Sequence, residues 1–150
     1  MKFVIFFLIL TTLVTLSLAI DVKKCSSSNS PKSVSIKGCE KSPCRVKKGS
    51  VLSAEIFFTT RDSTSTLQPK LSVKMFGIRI PLKVPSDQQN ACQHLKNSKC
   101  PLIANQEVTY SVELPILSSY PSIKTEIEVN LVGDNQKSLM CFKIDGQIYN

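Results

Sequence analysis

The sequence predicts an all-β protein, a sandwich of two antiparallel sheets. Three observations carry this expectation. Apolar and polar residues alternate in segment after segment, the period of a strand with one buried face. Turn-forming residues separate these segments. Almost nothing has a helical period, and no internal repeat occurs.

The first nineteen residues stand apart. Met1-Lys2 brings one positive charge, and Phe3 to Leu18 is apolar apart from Thr and Ser. Small residues at Ser17-Leu18-Ala19 flank a cleavage point. The pattern predicts a secretory signal peptide over residues 1–19 and one domain over residues 20–150. Its hydroxyl-interrupted apolar run argues against a membrane anchor, and no later stretch is long and apolar enough to span a bilayer.

Val22 to Lys24 reads as a short first strand. Ser26 to Lys32 is a Ser-rich loop. Val34 and Ile36 alternate into Gly38-Cys39, and Val46 precedes a turn at Lys48-Gly49. Leu52, Ala54, Ile56 and Phe58 form one apolar face; Phe57 breaks the parity, which suggests an edge or rim. Leu71, Val73 and Met75 repeat the pattern up to Gly77, which suggests a bend or bulge. Ile78, Ile80, Leu82 and Val84 follow, with Pro81 and Pro85 marking an edge strand, because proline cannot donate to a ladder. Val108, Tyr110, Val112, Leu114 and Ile116 are the cleanest alternation. Ile123, Ile127, Val129 and Leu131 lead to a hairpin turn at Gly133-Asp134-Asn135. Leu139 to Ile148 closes the chain, with unclear parity. About seven strands, each with one apolar face, require two sheets whose dry faces meet.

Six cysteines, Cys25, Cys39, Cys44, Cys92, Cys100 and Cys141, all follow the leader. An even count in an exported domain predicts disulfides, and six cysteines allow fifteen pairings. Cys39 and Cys44 flank a turn-like linker, and Cys92 and Cys100 bracket a polar loop. If both pairs close locally, Cys25 joins Cys141. A metal site is not expected: there is no Cys-x-x-Cys, and His94 is the single histidine.

The formal net charge is +8. Basic residues are spread over Lys23-Lys24, Lys47-Lys48, Lys70, Lys83, Lys96 and Lys99. No dense basic block or aromatic-basic motif marks a nucleic-acid surface. Such charge suits a solvated face or docking to an anionic membrane. One histidine, no Gly-x-Ser-x-Gly and few clustered carboxylates leave no catalytic set and no cofactor site, so the chain is not expected to be an enzyme. Glu126 and Glu128 share the polar face of one strand. No exposed apolar stripe is evident, so a monomer is expected. The inward positions Leu52, Ala54, Ile56, Phe58, Val73, Met75 and Val112 either fill a core or line a cavity. A cavity lined this way offers no hydrogen bonds and suits an apolar ligand.

Several stretches together carry a resemblance. They are Tyr120-Pro121-Ser122-Ile123-Lys124, then Asp134-Asn135-Gln136-Lys137-Ser138-Leu139-Met140-Cys141, and the order and spacing of the six cysteines. Lys48-Gly49, Gly77 ahead of Ile80-Pro81-Leu82, Cys100-Pro101 and Leu114-Pro115 add to them. The chain resembles the Niemann–Pick type C2 proteins of the ML lipid-recognition family, which also holds the mite group 2 allergens. The resemblance covers essentially the whole mature chain. It implies an immunoglobulin-like sandwich with a lipid cavity between its sheets and the pairing Cys25–Cys141, Cys39–Cys44 and Cys92–Cys100. It implies a secreted carrier of a sterol, fatty acid or other apolar lipid, docking to a membrane or a lipid-receiving protein. Recognition of bacterial glycolipids in innate immunity is the alternative role.

The resemblance also implies site residues. Tyr120 and Pro121 match at the cavity mouth, Leu82 stands where sterol-binding members have a phenylalanine, and Ile80, Ile116, Ile127 and Val129 occupy inward positions. Val129 and Phe142 replace tryptophans of the mammalian proteins. These departures leave cholesterol no more expected than a linear fatty acid. No Asn-x-Ser/Thr sequon is present, so delivery to a lysosome through an N-glycan is not expected.

Overall fold

A computed structural model describes residues 19–26 and 28–150. The expected leader lies outside the described residues except for Ala19. Nine strands form, and there is no α-helix among the described residues. They are β1 (Lys23–Lys24), β2 (Ser33–Ile36), β3 (Cys44–Lys47), β4 (Val51–Thr59), β5 (Gln68–Met75), β6 (Ile78–Leu82), β7 (Glu107–Pro115), β8 (Lys124–Val132) and β9 (Ser138–Tyr149). The short first strand expected at Val22 to Lys24 forms as the two-residue β1, and the strand not expected is the four-residue β3.

The strands make an immunoglobulin-like sandwich. One sheet has the order β1-β9-β8-β5-β6, with β3 also on β9, and the other has the order β2-β4-β7. All pairings are antiparallel except one. β3 runs parallel to the end of β9, matching Cys44 with Gly146 and Lys47 with Tyr149. The reason lies in the chain path: β2 and β4 belong to one sheet and β3 to the other, so the Cys39–Cys44 loop carries the chain across and back. β6 is an edge strand, as Pro81 within it requires.

One local reading is sharpened and one corrected. Gly77 makes the bend rather than the bulge: Met75 pairs with Ile78, so Phe76 and Gly77 alone form a tight turn, both with positive φ. Phe57 is not at an edge. It sits on the outer face of β4, the central strand of its sheet, with the Lys32 ammonium 5.4 Å from its ring centre.

The turn between β8 and β9 is tied to a distant loop. The Asp134 carboxylate accepts from the Ser65 N–H at 2.8 Å, the Thr66 N–H at 3.1 Å and the Thr66 hydroxyl at 2.6 Å. Donation from the Ser65 backbone, with help from Thr66, holds this carboxyl below its ordinary range.

The three disulfides join Cys25 to Cys141, Cys39 to Cys44 and Cys92 to Cys100. β9 loses its alternation because both of its faces are covered. Leu139, Met140, Cys141 and Phe142 are all buried, and the N-terminal segment lies against this stretch through Cys25 and through the Cys141 N–H, which donates to the Asn29 carbonyl at 2.8 Å.

The core is unevenly distributed. Phe58, Leu67, Leu102, Val108, Tyr110, Leu131, Leu139 and Met140 are fully buried where β4 ends, β7 begins and β8 turns into β9. Tyr110 is the largest of the fully buried side chains, and no group among the described residues bonds its hydroxyl. Burial pushes its pKa well above the ordinary tyrosine value. A buried, unpaired hydroxyl costs about 1–3 kcal/mol. Tyr110→Phe is therefore expected to raise stability by about 1 kcal/mol, read as a higher urea midpoint; an unchanged or lower midpoint would show that the hydroxyl is satisfied.

Candidate functional site

At the other end of the sandwich the inward faces do not meet. They enclose a cavity of about 380 Å³. Alternation places its walls. β4 contributes Leu52, Ala54 and Ile56; β5 contributes Leu71, Val73 and Met75; β8 contributes Ile127 and Val129; β9 contributes Phe142, Ile144 and Ile148. Each set is spaced by two or four residues, so each comes from one face of its strand. Leu82, Leu114, Ile116 and Ile123 complete the apolar wall.

Depth follows from exposure. Ala54, Ile56, Phe142 and Ile144 are buried and form the floor, whereas Lys83, Pro115, Leu117 and Pro121 are exposed and form the mouth. The loop from Ile116 to Ile123 makes one lip of that mouth. It is held at both ends. The Ile116 N–H donates to the Ser50 carbonyl at 2.8 Å, the Gly49 N–H donates to the Ile116 carbonyl at 2.6 Å, and the Ile148 N–H donates to the Ile123 carbonyl at 2.9 Å. Gly49 has φ +74°, a conformation that favours glycine, in the turn that receives this loop. Within the loop, Tyr120 donates its N–H to the Leu117 carbonyl at 3.1 Å. The proline after it restricts Tyr120 further.

The walls offer a ligand almost no hydrogen bonds. Among the described residues only Lys83, Tyr120 and Thr125 bring polar side-chain atoms to the lining. The Thr125 hydroxyl is already committed, donating to the Lys74 carbonyl at 2.7 Å. Among the described residues one cluster has metal-like spacing, Cys25, Glu128 and Cys141, and two of its ligand atoms are disulfide-bonded sulfurs. His94 lies apart from the cavity lining, its Nε2 2.7 Å from the Asp87 carbonyl.

The structure brings together most of the expected site residues: Leu52, Ala54, Ile56, Val73, Met75, Leu82, Ile116, Tyr120, Pro121, Ile127 and Val129 all line the cavity. Three do not. Phe58 is on the right face of β4 but belongs to the filled half, fully buried. Val112 is buried opposite Ala54 and screened from the space. Ile80 shares the parity of Leu82 but is 42% exposed, because it stands on the edge strand beyond the cavity's rim.

Among the lining residues missed were Ile36, Leu114, Pro115, Leu117, Lys83, Pro85, Thr125, Ile144 and Ile148. Parity signalled Leu114, whereas Ile144 and Ile148 lay in the strand whose parity was hidden. Lys83, Pro115 and Leu117 follow or end strands, where alternation no longer predicts direction.

The outer face of the larger sheet carries a balanced ionic network. Arg79 pairs with Glu126 at 2.7 Å and Glu128 at 3.3 Å, and Lys23 pairs with Asp145 at 2.7 Å. Burial works against the Glu126 anion, but hydrogen bonds from Arg79 and Lys23 outweigh it and lower its pKa. These carboxylates are thus occupied by structure. No helix among the described residues is long and apolar enough to cross a membrane.

Residues 19–148 match the ML domain family. NPC intracellular cholesterol transporter 2 of Danio rerio is 30% identical over 117 residues, covering 78% of this chain and 76% of that protein. Mite group 2 allergen Der f 2 of Dermatophagoides farinae is 32% identical over 119 residues, covering 77% of each. Among solved structures, a Niemann-Pick type C2 protein from the Japanese carpenter ant matches with a TM-score of 0.72 at 18% identity, over 85% of this chain and 97% of that one. At that identity the likeness speaks for the fold alone.

Proposed function

The chain belongs to the ML-domain family, and from that premise we propose that it is a secreted, non-enzymatic carrier that holds one small apolar lipid between its sheets. The observation that carries this reading is the almost wholly apolar lining of the cavity. A ligand there exchanges water for hydrocarbon, at about 25 cal/mol per Å² of apolar surface. About 300 Å² of such surface corresponds to about 7 kcal/mol before the costs of association. The cavity, at about 380 Å³, is near the lower end of the roughly 300–1,000 Å³ typical of ligand pockets. That size favours a single sterol or fatty acid over a many-chained glycolipid.

The test is organic extraction of protein secreted by eukaryotic cells, followed by mass spectrometry. About one lipid per chain is expected. Protein that carries none, and that takes up neither a fluorescent sterol nor a fluorescent fatty acid, would refute the carrier reading.

Delivery needs a surface that meets a membrane, and the β5–β6 hairpin offers one. Phe76, at the tip of the β5–β6 hairpin, is 95% exposed, and Ile78 beside it is 67% exposed. Lys74 and Lys124 are exposed nearby on paired strands, and Lys47 and Lys48 lie at the β3–β4 turn. An apolar tip with a basic fringe suits an anionic bilayer, where each lysine near the surface adds about 1 kcal/mol. Phe76→Asp is expected to slow lipid transfer between anionic vesicles about tenfold while leaving affinity in solution unchanged. Equal transfer rates in a vesicle-to-vesicle fluorescence assay would rule out this docking mode.

A further inference from the structure

Resting on the lipid reading above, we propose that Lys83 makes the cavity selective for single-chain lipids with an acidic head, held with the tail on the floor and a carboxylate at the mouth. Lys83 is the one charged side chain in the lining. It follows directly on β6, which ends at Leu82. Within the strand, alternation sends Arg79 outward to its carboxylate partners and Leu82 inward to the cavity. Continued alternation would send Lys83 outward as well. The strand stops instead, with Pro85 two residues on also at the rim, and Lys83 joins the mouth.

The chemistry of the position follows from what surrounds it. Lysine covers apolar surface with its stem while its ammonium stays in water. Among the described residues no carboxylate pairs with Lys83; several other lysines are also unpaired, but Lys83 alone of them lines the cavity. A lipid with a neutral head that fills the mouth strips water from this ammonium and returns nothing charged. A carboxylate in the same place supplies a charge-assisted hydrogen bond. The preference is therefore set at the rim, while the apolar wall behind it accepts either chain equally.

Palmitic acid and hexadecanol separate the two contributions, because they share a chain and differ in head charge. Both are titrated as competitors of a displaceable apolar fluorophore. The wild-type protein is expected to bind the acid more tightly than the alcohol. Lys83→Gln should weaken the acid about three- to fivefold, the scale of an exposed ion pair, and leave the alcohol unchanged. Lys83→Glu should invert the preference. Lys137→Gln, at the far β8–β9 turn where Lys137 pairs with Asp62 at 3.0 Å, should change neither.

An acid-to-alcohol ratio that stays constant across the Lys83 variants overturns the role of Lys83 and leaves the cavity reading standing. An equal loss in Lys137→Gln also overturns it, since general charge would then explain the preference. Wild-type protein that binds neither compound overturns the cavity reading, and the role of Lys83 with it.

Discussion

Replacing both Cys25 and Cys141 by alanine is expected to lower the unfolding free energy by about 5 kcal/mol. The bond closes a loop of 116 residues, against 5 for Cys39–Cys44 and 8 for Cys92–Cys100. In the chain-entropy treatment a closure of that length restricts the unfolded chain by about 4.8 kcal/mol, and the two short ones by only about 2–2.5 kcal/mol each. The folded side of the balance points the same way. The bond fastens the N-terminal segment against β9, where β1 contributes only two ladder positions, Lys23 with Lys143 and Lys24 with Phe142. Against the total of about 5–15 kcal/mol typical of a domain, such a loss is a third or more of the stability. Urea unfolding of the double variant, beside Cys39→Ala/Cys44→Ala, decides the matter. A loss no larger than that of the short-loop variant would show that chain length is not what the long bond controls.

Val129→Trp is expected to weaken lipid uptake about ten- to hundredfold while the protein stays folded. Val129 is on β8, in register with Leu71 on one side and Phe142 on the other, and all three line the cavity. An indole at this point projects into empty space rather than into packed neighbours. It therefore displaces the ligand without the usual cost of overpacking, about 1–3 kcal/mol. Filling space also recovers contacts that a void forgoes, so the melting temperature should hold or rise. Competitive displacement of a fluorescent fatty acid, with a thermal melt on the same sample, measures both. Undiminished binding in a protein of normal melting temperature would place the ligand elsewhere.

These two variants touch features that the sequence disclosed to different degrees. The strands were legible because each buries one face, and period two survives in β4, β5, β7 and β8. It failed in β9 for a physical reason: Cys141 and its neighbours are covered on both sides, so hydrophobicity there carries no direction. β3 escaped notice between the Cys39–Cys44 loop and the Lys48-Gly49 turn, and its parallel pairing depends on a crossing that only the assembled sheets reveal.

The cavity was the hardest feature to read. Ile56 and Phe58 are two residues apart on one face of one strand, yet one lines the space and the other fills the core. Periodicity gives a residue's face, not the distance to what it faces. That distance is set by bulk, and the bulk of Phe58 and Tyr110 closes one half of the sandwich. Family resemblance, not period, distinguished a hollow sheet pair from a packed one. Even so, it extended the expected lining to Ile80, which the edge leaves in water.

The division into a solid half and a hollow half has a mechanical consequence. Hydrostatic pressure favours whichever state has the smaller volume, and unfolding removes internal voids. Apolar walls offer water in an unoccupied cavity almost no hydrogen bonds. The empty protein is therefore the softer of its two forms, compressible at the mouth end and stiff around Tyr110. On the carrier reading, a bound lipid would act as the missing part of the core, so that cargo and scaffold resist compression as a single body.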